Sequence, residues 1–228
     1  MRLTPEQLKA FDEEGYLFLP DCFGAEEVAA LRREAEAIYR ADRPELWREK
    51  SGAPRTAFAA HTYNEGFRLL GAHPRLIEPV EQLFGEKLYM HQYKLNAKAA
   101  FDGDIWQDRK SHKSGVLPAE HDEATTSYPL WTLDHATITR LVRAAGIVAP
   151  TGKPGGVLMF HGNLVHASTA NITPYPRTIV YLTLCAVSNY IRTPTRPEWI
   201  AHRDFTPIEP VADNALVEYA RSHRIAAE

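Results

Sequence analysis

The sequence predicts an α+β fold with a mainly β core and helices packed outside it. Two observations carry this. Helical patterns crowd the first 85 residues, most strand patterns follow them, and no strand–helix–strand alternation runs through the chain. At 228 residues the chain is long enough for one substantial core, so a single domain over 1–228 is expected.

Thr4-Pro5-Glu6-Gln7 reads as a helix start: Thr4 caps, Pro5 suits the first helical position, and Gln7 closes a capping box. This helix should end near Gly15, and Tyr16 to Pro20 reads as a short buried strand. Ala25 to Ala41 repeats Val28, Leu31, Ala35 and Ile38 at helical spacing. Residues 42–60 read as loop with a strand at Thr56 to Ala59. Glu65 to Leu70 and Pro74 to Phe84 are expected helices, the second ended by Gly85. Lys87 to Ala99 alternates and should be a long strand. Residues 101–128 are polar, and Leu133 to Ala145 is a helix with Thr132 or Asp134 near its cap. The tail from Arg192 is Pro-rich, with Trp199 as a packing anchor.

Composition narrows the function. Hydrophobic residues make up 44% of the chain, which excludes a disordered protein. A net charge of −3 gives no basic surplus for nucleic acid. Cys22 and Cys185 stand far apart with no CxxC pair, so buried free thiols are expected, and neither a disulfide framework nor a zinc knuckle. The N-terminus lacks the apolar segment of a secretion signal, and no apolar run approaches the ~20 residues of a membrane span. A cytoplasmic protein without membrane partners is the expectation.

The chemistry concentrates in Pro154 to Arg177. A Gly pair leads into an apolar run, His161 and His166 follow, then Ser168, and Arg177 opens a β-branched strand. Alone, His166 reads as a core imidazole satisfied by a backbone carbonyl, and Ser168 as a turn serine. Arg177, expected to be buried, has no acidic residue within ten positions on either side. A buried guanidinium needs an anion, and it grips a carboxylate in a planar, bidentate way. A ligand carboxylate or a distant Asp or Glu fills that role.

This stretch resembles the C-terminal motif of the phytanoyl-CoA dioxygenase family of non-haem Fe(II)/2-oxoglutarate oxygenases, nearest in flavour the ectoine hydroxylase branch. Tyr16 to Pro20, Met90 to Lys98, Ser111 to Gly115 and Asn189 to Pro210 resemble further family segments in the right order. The resemblance implies a double-stranded β-helix, or cupin-like jelly roll, and Fe(II), 2-oxoglutarate and O2 as cofactor and cosubstrates. It implies His166 as the distal iron ligand, Arg177 and Ser168 on the far carboxylate of 2-oxoglutarate, and Gln92 and, less directly, Asn96 beside it. His161 should pack or hydrogen-bond. The implied partner is a small-molecule substrate, and a homodimer is one option for assembly.

The sequence departs from the family where the first two iron ligands belong. A facial triad needs two His and a carboxylate, and the family supplies a His-x-Asp after the Gln92 strand. Only His202-Arg203-Asp204 fits that pattern, and it follows the Arg strand, so it reads as a surface turn. Asp108 stands near the right place without its His. Only Asp108-Arg109-Lys110 separates Gln107 from Ser111, so several tens of residues and some core strands are missing. Three readings stay open: an oxygenase lacking an internal segment, a degenerate homologue that binds a small carboxylate or serves as a structural partner, or a site rebuilt with Asp104, Asp108 or His112. Ectoine-type enzymes place an Asn two positions after the Arg. Ile179 stands there, which favours another small metabolite.

Overall fold

A computed structural model describes residues 1–98, 120–122, 130–166, 171 and 173–225. Two compact units emerge. One takes Met1–Leu3, Cys22–Ala99 and Tyr175–Glu228, and the other takes Thr4–Asp21 and Ala100–Pro174.

The first unit is built on an antiparallel sheet in the order β2 (Leu46–Arg48), β3 (Pro54–Phe58), β4 (Leu88–Lys98) and β8 (Arg177–Ala186). Within 42–60 the expected strand at Thr56 to Ala59 is present as β3, and the stretch before it, expected as loop, supplies its hairpin partner β2. Arg48 and Pro54 hide the hairpin's alternation, and a register shift at Trp47/Arg48 breaks the period. Pairing to β4 at Thr56↔Asn96 and Phe58↔Lys94 fixes its place.

β4 has two chemically distinct faces. Tyr93 and Leu95 are fully buried on one, where the Tyr93 hydroxyl donates to the Phe67 carbonyl at 3.1 Å. Their partners include α3 (Ala60–Tyr63), α4 (Glu65–Gly71) and α5 (Pro74–Phe84). Burying side chains of this size stabilises the fold by roughly 1.5–3 kcal/mol each. Gly71 allows the close approach: a Cβ there would stand 3.1 Å from the Tyr93 ring.

α2 (Ala25–Arg40) packs on α4 and on α7 (Ala215–Ile225). Glu34 ties the three together, accepting from Asn64 Nδ2 at 2.6 Å and from the Tyr219 hydroxyl at 2.8 Å. Buried Glu27 meets Arg75, whose guanidinium also grips the Asp213 carboxylate at 2.7 and 2.8 Å.

Between β8 and α7 the chain runs as a strap over residues 190–214. β3 pairs with β4 only over residues 94–96, which leaves the start of β4 without a strand on that side. The strap takes the place: His202 N donates to His91 O at 2.9 Å and Ile208 N to Leu88 O at 2.8 Å. Trp199 is the expected anchor, edge-on to Trp47 and Phe58 with ring centroids 5.8 and 5.3 Å away. Of His202-Arg203-Asp204, expected as a surface turn, Arg203 and Asp204 are exposed but His202 is buried against His61 of α3. Docking of the strap causes this, and local sequence does not report it. Cys22 and Cys185 are free thiols, half-buried and not fully buried as expected.

In the second unit, α1 (Pro5–Glu14) carries the expected capping box at Thr4 and ends at Gly15 in the left-handed conformation, φ 79°. β1 (Tyr16–Leu19) pairs antiparallel with β7 (Val157–Phe160), Tyr16 opposite Phe160. β5 (Glu120–Asp122) pairs with β6 (Leu130–Thr132). α6 (His135–Ala145) is capped by Asp134, which accepts from Thr137 N at 2.9 Å.

Candidate functional site

Gln92, Asn96 and Arg177 lie on one face of the four-stranded sheet. The β4–β8 ladder pairs Gln92 with Thr183, Lys94 with Tyr181, Asn96 with Ile179 and Lys98 with Arg177. Directly opposed residues share a face and every second residue returns to it. The face opposite Tyr93 and Leu95 therefore carries these eight side chains.

Spacing along the strand separates their tasks. Asn96 is one same-face row, about 7 Å, from the Lys98–Arg177 row, and Gln92 is about 20 Å from it. A small dicarboxylate held by Arg177 reaches the neighbourhood of Asn96 and not that of Gln92. Each amide already has a partner. Asn96 Oδ1 accepts from Thr56 Oγ1 at 3.0 Å, and Gln92 Nε2 donates to the Ile200 carbonyl at 3.0 Å. The strap thus covers the Gln92 end of the face.

Arg177 is exposed, contrary to the expected buried guanidinium. It occupies the first position of β8, opposite the last residue of β4, where the ladder ends. The side chain is within reach of solvent and of an incoming anion.

Lys94, which sequence reasoning passed over, occupies the middle of the face. Its ammonium stands 5.0 Å from the centroid of the Tyr181 ring. No carboxylate is paired with it among the described residues. Burial, helped by the Arg196 charge, lowers its pKa from the ordinary lysine value. Period-2 alternation puts it beside Gln92 and Asn96, but a lone strand lysine reads as a solvated position.

His166 belongs to the second unit. β7 delivers the chain to it through a tight turn: His161 N donates to Gly15 O at 2.8 Å, extending the β1–β7 pairing, and Leu164 N closes back on His161 O at 2.8 Å. His161 hydrogen-bonds as expected, with its Nδ1 accepting from Asn163 N at 3.1 Å. The His166 ring is exposed and lies 4.7 Å from the Phe160 ring. Its Nδ1 stands 2.8 Å from the Leu164 carbonyl. A carbonyl only accepts, so Nδ1 is the donor, and in the neutral ring the lone pair then lies on Nε2, the tautomer of a metal-bound imidazole oriented from its far side. The core-imidazole reading anticipates the carbonyl bond but not the exposure.

Ser168 and Asp108 lie outside the described residues, as do Asp104, His112 and the Ser111 to Gly115 segment. Among the described residues no group of three His, Cys, Asp or Glu is placed to hold a metal. His166 fits the role of a single imidazole ligand, and its companions are not supplied there.

The sequence model of the phytanoyl-CoA dioxygenase (PhyH) family matches residues 11–109 and 108–179. The chain belongs to this family. The two matched stretches meet at Asp108–Arg109, the place where the sequence comparison with the family expects an internal segment. The ectoine dioxygenase of Sphingopyxis alaskensis is 30% identical over 271 residues, covering 95% of this chain and 88% of the relative. That alignment is longer than the 228-residue chain, so the relative carries residues inside the aligned stretch that this family member lacks. The iron-bound crystal structure of EctD from S. alaskensis superposes with a TM-score of 0.76 at 29% identity, covering 92% of this chain and 87% of that one. The EctD structure with 2-oxoglutarate and 5-hydroxyectoine gives 0.73 at 30% identity, covering 92% and 86%. The fold of this PhyH-family chain is thus the α+β, cupin-like jelly roll with flanking helices that its sequence predicts. No helix among the described residues is long and apolar enough to cross a membrane.

Proposed function

We propose that the chain is an Fe(II)- and 2-oxoglutarate-dependent dioxygenase that hydroxylates an unactivated C–H of a small metabolite. One O2 and one 2-oxoglutarate are consumed, one oxygen atom enters the substrate as a hydroxyl, and succinate and carbon dioxide leave. The observation that carries this is the shared sheet face of Arg177, Asn96 and Lys94. Family membership and the EctD likeness support it.

In this reading Arg177 holds the far carboxylate of 2-oxoglutarate by paired N–H donors. Asn96, oriented by Thr56, lines the same end. His166 Nε2 is one iron ligand, Asp108 is proposed as a carboxylate ligand, and Ser168 as a hydroxyl donor to 2-oxoglutarate. Iron, when bound, supplies the activation of oxygen. Lys94 lies one row further along and supplies a second cation, so the substrate carries a carboxylate of its own. Ile179 and Tyr181 face the same space without an amide, which favours a less polar body than the ectoine named in the relatives.

The test is succinate release from purified protein with Fe(II), ascorbate and 2-oxoglutarate. Succinate forms, even uncoupled from substrate, and Arg177→Ala weakens 2-oxoglutarate binding by about 30-fold or more, the equivalent of roughly 2 kcal/mol for a lost charge-assisted pair. If no succinate appears, the enzyme reading fails. Calorimetric binding of 2-oxoglutarate by that inactive protein instead identifies a carboxylate-binding homologue. Unchanged binding by Arg177→Ala removes the role given to that residue.

A further inference from the structure

The strap that covers the Gln92 end of the sheet is pinned by two buried imidazoles. His61, on α3, stacks on the Tyr93 ring with centroids 4.7 Å apart and planes 23° from parallel. His202, on the strap, meets His61 edge-on at 4.9 Å and is only 8% exposed. His61 Nδ1 and His202 Nε2 are buried and find no hydrogen-bond partner among the described residues. The charged groups around them are few. His202 faces His61 from α3, His91 from β4, and Glu198 and Asp204 from its own strap. His91 in turn faces Arg196, also on the strap. Asp204 is already engaged by Thr206 N at 2.9 Å. Neither imidazole has a carboxylate bonded to its orphan nitrogen.

We propose that His61 and His202 form an acid-labile latch, closed when both rings are neutral and opened by their protonation, that releases the strap from β4. Two neutral rings pack edge to face at no electrostatic cost. Two imidazolium ions at this separation repel in a buried setting; Glu198 and Asp204 favour a charged His202, but burial outweighs them and neither carboxylate is bonded to an orphan nitrogen. The strap yields where the imidazoles sit. Around His202 its hold on β4 is the His202 amide and the Gln92–Ile200 bond, with Trp199 packed on Trp47 and Phe58; further along, the Ile208 amide and the Phe205 ring, edge-on to Tyr89 at 5.2 Å, hold it to the start of β4. Release frees the Gln92 amide and withdraws Trp199 from Trp47 and Phe58, so acid uncovers one end of the proposed binding face. The latch does not depend on the oxygenase reading, since it rests on the strap contacts alone.

Hydrogen exchange read by mass spectrometry tests the latch in the intact protein. Protection of a peptide covering residues 200–210 is compared with that of 178–186 in β8, corrected for intrinsic rates, from pH 7.5 to pH 5. The strap loses at least about tenfold more protection than β8, since the His61 pKa is pushed down to about 4 by burial first and by His202 second, and each unit below its ordinary value shifts the closed–open balance tenfold. The double variant His61→Phe, His202→Phe abolishes that difference. Equal loss in the two peptides, no loss in either, or a difference that survives the double substitution overturns the proposal. Should the double variant fail to fold, the wild-type imidazole resonances decide. Protonation of His61 and His202 coincides with loss of strap protection, whereas rings that protonate while the strap stays closed overturn it.

Discussion

Lys94 shows what a single residue gives up for the proposed binding face. Its ammonium is half-buried among Tyr181, Arg196 and the sheet, without a carboxylate partner among the described residues. Because burial lowers its pKa, the charged form is less favourable in the folded chain than in the unfolded one, and at neutral pH that difference counts against stability. Lys94→Met keeps the length and apolar stem and removes the charge. It should raise stability by about 0.5–2 kcal/mol, or a few degrees in melting temperature, while weakening affinity for a carboxylate-bearing ligand. Thermal unfolding and calorimetry on the same variant check both halves, and a lower melting temperature would show that the ammonium has an anionic partner after all. Period 2 made the shared face of Gln92, Lys94 and Asn96 legible in the sequence, while the roles given to Gln92, Asn96 and Arg177 rest on the family resemblance. The exposure of Arg177 was not legible, because it follows from where the β4–β8 ladder stops. The burial of His202 was not legible either, since the strap docks on a strand about a hundred residues away in sequence.

At the scale of elements, the strand pair that leads to His166 depends on a close approach of backbone to ring. Gly152 and Gly156 both press on Phe18 of β1. A Cβ at Gly152 would fall 2.4 Å from Phe18 Cζ, and one at Gly156 3.1 Å from it. The Phe18 ring has to shift for any larger residue, and its strand is paired to β7 through Leu158. Gly152→Ala should therefore cost about 1–3 kcal/mol, as overpacking does. Adding Phe18→Leu shortens the obstructing side chain and should recover a good part of that loss, a non-additivity that marks direct contact. Urea unfolding of the two single variants and the double variant measures it; strictly additive losses would disprove the clash. The elements with strong local signals, such as the Thr4 capping box and the Gly85 stop of α5, were readable from the sequence. The β2 half of the β2–β3 hairpin was not, because a register shift at Trp47/Arg48 breaks its alternation and only pairing to β3 reveals it.

For the whole molecule, the acid response follows from where the buried imidazoles lie. His61, His73, His91 and His202 all have lowered pKa values with burial as the largest cause, and all four belong to the first unit. An imidazole kept neutral in the folded state takes up protons in the unfolded chain first. Its contribution is complete above about pH 6.5 and is lost as pH falls toward the folded value. For His61, lowered to about 4, the full loss is about 3 kcal/mol. Carboxylates held down by partners, such as Asp213 beside Arg75 and Asp204 beside Thr206, add their losses only in the carboxylate range, below about pH 4. Stability should be level above pH 7, fall between pH 6.5 and 4, and fall again below. The first fall should concentrate in the unit that carries the imidazoles, with peptides from β4 losing exchange protection at a higher pH than peptides from β1 and β7. Strap opening precedes this loss, because the latch gives way locally before the sheet does. Chemical unfolding at pH 7.5, 5.5 and 4, with exchange measured in parallel, tests the order. A stability that stays flat from pH 7.5 to 5 would mean that the imidazoles find compensating anions as they protonate, and the latch would fall with it.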